Sequence, residues 1–297
     1  MKKFIKNNIA IILSLIAICL VISISSFKVY VDSEILKNDY INSNNWCERT
    51  LQLYNPNDSC KNEITTNYNR DTLTIYDEIF NSSDYSIVVY FMIPFLTIAS
   101  SLYIVSKRFR SGEVKNSLTR ESYNSYMRSI LKDAYKSAII FPFVFIFTLI
   151  ISYMISGTFN VNTLGLASFN IEHLNNPLLF IISYFLNTIF ISFYWVNIAL
   201  FIVPNTRNYI VSVLESIMIY FGITLTNTFF VIGFIGNILK MKDLEYKLDF
   251  LDVYTYNNRN LLSFNILCLS IALISGLIVF IKYRNKERMI IRLEGNL

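Results

Sequence analysis

The 297-residue sequence is short of charge, glycine, proline and histidine. Only 16% of residues are charged, against about 25% in an ordinary soluble domain, while 54% are hydrophobic and the mean hydropathy is +0.44. That balance excludes a disordered chain. It also argues against a nucleic-acid-binding domain, although the pI is about 8.9 and the net charge is +5. A soluble enzyme is disfavoured too, because the apolar residues come in unbroken blocks rather than alternating with polar ones. The single histidine, His173, leaves no His cluster for a metal or for acid–base chemistry, and a helix-entry role before Pro177 suits it better. HExxH, GxSxG and GxxxxGK[ST] are all absent, so neither a zincin, a serine hydrolase nor a phosphate loop is encoded. With 8 Gly and 5 Pro, glycine-packed helices are sparse. The richness in Ile, Asn, Lys, Tyr and Phe fits an AT-rich bacterial genome.

What is present is a set of apolar blocks divided by charge. A bilayer-spanning helix needs about 20 apolar residues. Six stretches qualify: 8–27, 85–106, 138–156, 177–203, 209–232 and 261–281. The expected fold is an all-α polytopic membrane protein, with residues 1–297 as one transmembrane domain. Orientation follows from Lys and Arg in the connections. With the N-terminus inside, segments 1–7, 107–137, 204–208 and 282–297 hold 17 Lys/Arg and 5 acids. The outer segments hold 9 Lys/Arg and 15 acids. The overall +5 therefore divides into +12 inside, −6 outside and Glu215 within a span, which predicts an N-in, C-in layout. Lys2, Lys3 and Lys6 before an apolar run imitate a signal peptide, but the run exceeds a signal core and no Ala-x-Ala follows.

The first outer connection, 28–84, has 57 residues and exceeds a simple loop. It carries Cys47 and Cys60, separated by the turn-forming Asn55-Pro56-Asn57-Asp58. An exoplasmic bridge between them and two free thiols both fit the spacing. Among intramembrane polar residues, Glu215 is a carboxylate roughly 12 Å along a helix from Arg207, suited either to coupling protons or substrate or to a paired structural role. Asn187, Asn197 and Asn227 suit interhelical hydrogen bonds or the lining of a substrate path equally well. Pro94 and Pro142 should kink their spans, and Gly222, Gly233 and Gly236 should let the fifth break. The segment 234–251 mixes apolar and charged residues as an outer amphipathic stretch.

The inner connection 107–137 is the most informative. Val114, Leu118, Tyr123, Tyr126, Ile130 and Leu131 recur at helical spacing, with a break near Thr119-Arg120. A short helix over about 112–118 and a second from about Ser122 into the third span are expected. On charge and periodicity alone, a basic helix resting on anionic lipid headgroups accounts for the pattern. The stretch SGEVKNSLTRESYNSYMRSILK also resembles the segment after the second span in bacterial ABC-transporter permeases of the type-2 exporter class. The matching positions are Gly112, Val114, Lys115, Asn116, Leu118, Thr119, Arg120 and, more loosely, Lys132.

That resemblance implies a cytoplasmic coupling helix seated in a groove of a separate ABC ATP-binding subunit. Val114 and Leu118 would pack in the groove, and Lys115 and Arg120 would meet acids at its rim. It also implies a second permease copy or paralogue, a location in the bacterial cytoplasmic membrane, no cofactor in this chain, and export of an amphipathic peptide, antibiotic or lipid-like compound. A non-transport alternative is a membrane scaffold or sensor whose outer loop, 28–84, binds a ligand or partner.

Overall fold

A computed structural model describes residues 2–54, 72–81, 86–110, 120–157, 177–206, 208–238 and 261–284, and every regular element among them is helical. Six helical stretches are long and apolar enough to cross a membrane: Asn8–Asp32, Ile87–Phe109, Tyr123–Ser156, Ile181–Asn205, Tyr209–Phe234 and Phe264–Arg284. The expected number of apolar helices is therefore present, with several different boundaries.

The first helix, α1 (Lys2–Tyr54), is bent at Asn8 (φ −112°, ψ 16°) and does not stop where its apolar run stops. Charges at Lys28, Asp32 and Glu34 end the hydrophobic block. They do not end a helix, because residues 1–55 contain neither glycine nor proline. The stop comes at Tyr54, where Asn55 precedes Pro56 and the pre-proline position disfavours helical backbone. At 1.5 Å per residue α1 extends roughly 80 Å, well beyond a hydrocarbon core of about 30 Å. Residues 28–54, placed by sequence in a polar connection, thus continue the first span as helix.

A second element of that connection folds back on the bundle. Helix α2 (Thr72–Asn81) buries Leu73, Ile75, Tyr76, Ile79 and Phe80. Tyr76 meets the ring of Phe145 edge-on at 5.6 Å. Thr72 Oγ1 and Ser156 Oγ share a hydrogen bond of 2.8 Å, and Ser25 Oγ donates to the Ile79 carbonyl at 3.3 Å.

Helix α3 (Ser86–Arg110) contains Pro94. Next, α4 (Tyr123–Ala134), a 3₁₀ segment (Tyr135–Ile139) and α5 (Ile140–Ser156) run on without a gap. The helix expected from about Ser122 into the third span is therefore present, and it starts fifteen residues before the apolar block at 138. Ser122 caps α4, its Oγ accepting from the Ser125 N–H at 3.4 Å. The tightened winding precedes Pro142, which has no N–H to donate and whose ring crowds the carbonyl four residues back, that of Ala138. Gly157, at φ 70°, ends α5 in the left-handed conformation that glycine tolerates best.

Helix α6 (Pro177–Ile202) starts on proline, whose missing N–H costs nothing at the first helical position. It is the centre of the fold, packing against α3, α5, α7 and α8. In its apolar window 72% of residues are buried, against 12% for α7 and 17% for α8. Helix α7 (Tyr209–Thr226) is capped by Asn208, whose side chain accepts from the Ile210 N–H at 3.0 Å. It widens into a π-helix over Asn227–Ile235 and ends in a short turn, Gly236–Ile238. The span expected to break at its glycines thus changes winding instead. Helix α8 (Leu261–Arg284) rests chiefly on α6.

Candidate functional site

Four helix ends, those of α3, α4, α6 and α8, are linked at the basic end of the bundle, beside the connection 107–137 singled out by sequence. The carboxyl end of α3 is clamped to α4: Arg108 forms an ion pair with Asp133 and donates to Ser129 Oγ at 3.2 Å. Asp133 also pairs with Lys136 at 2.5 Å, one turn on. The buried face of α4 (Tyr123, Tyr126, Met127, Ile130 and Ala134) lies against the bundle. Tyr123, its first residue, donates its hydroxyl to the Tyr283 carbonyl at the end of α8, at 2.7 Å.

The end of α8 in turn caps α6. The last carbonyls of any helix lack backbone donors. At Leu200 the shortage is worse, because the donor four residues on would be Pro204, which has no N–H. The Tyr283 hydroxyl fills that place, donating to Leu200 O at 2.8 Å. The Lys282 ammonium donates to the Phe201 carbonyl and lies 3.9 Å from the Phe201 ring centroid. Tyr283→Phe should therefore cost about 1 kcal/mol of stability. The loss should shrink in a Pro204→Ala background, where a backbone N–H becomes available. Thermal unfolding of the four proteins of this cycle checks the coupling.

One turn deeper, Asn197 forms a joint between three elements. Tyr135 Oη donates to Asn197 Oδ1 at 2.5 Å. Asn197 Nδ2 donates to Ser275 Oγ at 2.9 Å and to the Ala272 carbonyl at 3.2 Å. Its amide is thus engaged at both ends. Beside the joint a groove of about 330 Å³ runs between α6, α7 and α8, walled by isoleucines and edged by Tyr194 and Ser275.

The other sequence-selected residues are dispersed. Gly112, Val114, Lys115, Asn116 and Leu118 lie outside the described residues, as do Thr119 and Cys60. Arg120 is exposed in the turn before α4. Cys47 falls on the extension of α1, so a Cys47–Cys60 bridge also lies outside what is described; Cys19 lies on α1 and Cys268 is buried on α8. Glu215 is half-buried on the second turn of α7, and no ion pair reaches it among the described residues. Asn187 is fully buried in α6, and among the described residues neither end of its amide, nor the Ser192 hydroxyl or Trp195 Nε1 on the same helix, has a hydrogen-bond partner. Asn227 opens the π-helix.

Sequence reasoning missed Arg108, Asp133, Tyr135, Ser275 and Tyr283. Their signal was present in part, since tyrosines and basic residues cluster at the ends of spans in membrane proteins. The partners they choose lie up to 160 residues away. The chain matches no protein-family model, no curated protein and no solved structure.

Proposed function

We propose that this chain is the membrane subunit of an ATP-driven exporter, with residues 112–120 docking a separate ATP-binding subunit on the cytoplasmic face. The observation that supports this most is the anchoring of both flanks of that segment. Arg108 binds the α3 flank to α4, and Tyr123 binds the α4 flank to the end of α8. A segment that must transmit a partner's displacement needs such rigid attachment, because a slack connection would dissipate the motion. From Tyr123 and Tyr283 the mechanical path continues to α6, the helix that touches four others.

Hydrolysis belongs to the partner, because the chain has no phosphate loop. Two permease chains would enclose the substrate path between them, alternating access as the ATP-binding subunits close and open. The substrate class is an amphipathic peptide, antibiotic or lipid-like compound, moved across a bacterial plasma membrane.

Co-purification tests the proposal. Epitope-tagged protein from native membranes should retain an ATP-binding subunit. Leu118→Asp, which places a carboxylate on the apolar docking face, should reduce retention by at least about tenfold while leaving the elution profile of the permease unchanged. If neither the parent nor the variant ever retains an ATPase, the exporter proposal falls. Labelling of an introduced Ser117→Cys from the outer side would overturn the orientation.

A further inference from the structure

The exposed side of α4 and α5 has an arrangement that the docking proposal does not use. Arg128, Lys132 and Lys136 are exposed and recur every four residues, so they form one column along α4 and the 3₁₀ segment. Without a break in the helix, the exposed residues become apolar: Ile139 is 57% exposed, Phe143 40% and Ile146 45%. Asp133 is the acid within the column's own turns, and it is already engaged by Arg108 and Lys136. Arg128 and Lys132 form no ion pair among the described residues. The column therefore keeps a net positive charge directly above an apolar strip. From Lys136 to Ile146 the strip extends roughly 15 Å, half the thickness of a hydrocarbon core.

We infer that this column is a binding site for one anionic phospholipid, its phosphate held by Arg128 and Lys132 and an acyl chain lying along Ile139, Phe143 and Ile146. Charge complementarity selects the occupant. A zwitterionic lipid offers the same chain without net charge, and a soluble anion offers the charge without the chain. At Ile146 the strip meets the mouth of a groove of about 520 Å³ between α5 and α6, lined by apolar side chains such as Leu149, Ile182 and Phe185. The chain end can enter that groove. The inference is independent of any ATP-binding partner, because it rests on the order of charge and apolar surface along one helix.

Native mass spectrometry of the full chain in detergent tests it, with phosphatidylglycerol and phosphatidylcholine of identical acyl chains as probes. The parent protein should retain phosphatidylglycerol preferentially. Arg128→Gln and Lys132→Gln should each reduce that preference by about fivefold, while Arg128→Lys retains it. Phe143→Ser should weaken both lipids alike. Equal retention of the two lipids by the parent overturns the inference, as does an unchanged preference in the double variant. Competition by inorganic phosphate at the strength of the lipid would reduce the site to a simple anion site and overturn it as well. A double variant that keeps its lipid preference but loses an ATP-binding subunit would assign the column to a protein partner instead.

Discussion

Trp195→Ala is expected to be the most destabilising single truncation in the bundle, at about 3–5 kcal/mol. Trp195 is 1% exposed and is the largest fully buried side chain among the described residues. It sits where three helices meet: its ring centroid is 5.3 Å from that of Phe141 on α5 and 6.2 Å from that of Tyr220 on α7, the latter edge-on at 90°. Lipid tails are as apolar as the interior, so association of these helices draws on close packing rather than on escape from water. A cavity at their shared contact removes what holds α5 and α7 to α6. Among the described residues the indole N–H has no hydrogen-bond partner, so Trp195→Phe loses volume and little else. It should cost about 1–2 kcal/mol, a fraction of the alanine loss. Thermal unfolding of detergent-purified protein, followed by retention of the folded peak on gel filtration, checks both. If phenylalanine proved as damaging as alanine, a polar partner for the indole, and not the packing, would carry the effect.

The same distinction between apolar volume and specific partners explains how much of the fold was legible in the sequence. Six apolar helices could be read from charge punctuation, because the cost of burying charge in hydrocarbon is large enough to be visible in any window. Helix ends could not be read that way. In α1 the charges at residues 28–34 mark the end of the apolar block, whereas the helix runs on to Tyr54. Helix α4 does run into α5 past Lys132, Asp133 and Lys136, as its helical periodicity from about Ser122 predicts, because the column of charge occupies one face only. Helix α2 was missed although Leu73, Tyr76 and Phe80, with Ile75 and Ile79, recur at helical spacing. Ten residues flanked by acids are too few to lift a hydropathy average. Of the candidate site, the segment 112–120 proposed for docking could be marked from its resemblance, and its flanks fall in described structure. The links from those flanks to α6 and α8 depend on which rotations bring Tyr123, Tyr283 and Asn197 together, and a single sequence carries no such register.

Asn197 and Asn187 provide the sharpest test of that point. Both are buried asparagines on α6, ten residues apart, and the sequence gives no reason to rank one above the other. Asn197→Leu removes a side chain that accepts from Tyr135 and donates to Ser275 and Ala272. It leaves the Tyr135 hydroxyl without an acceptor and separates α8 from α6 at mid-helix. The expected cost is about 1–3 kcal/mol, at the upper end of what interhelical hydrogen bonds contribute in membranes. Asn187→Leu removes an amide whose oxygen and nitrogen are both buried and have no hydrogen-bond partner among the described residues. Relieving that desolvation should leave the unfolding temperature unchanged or raise it. Leucine has as many side-chain heavy atoms as asparagine and a larger volume, so cavity formation contributes to neither result. Unfolding temperatures of the two variants, measured side by side, should move in opposite directions or differ by several degrees. Equal losses would mean that Asn187 is bonded in the folded protein after all. If transport fell in Asn187→Leu while its stability held, the unpaired amide would have a role in handling substrate.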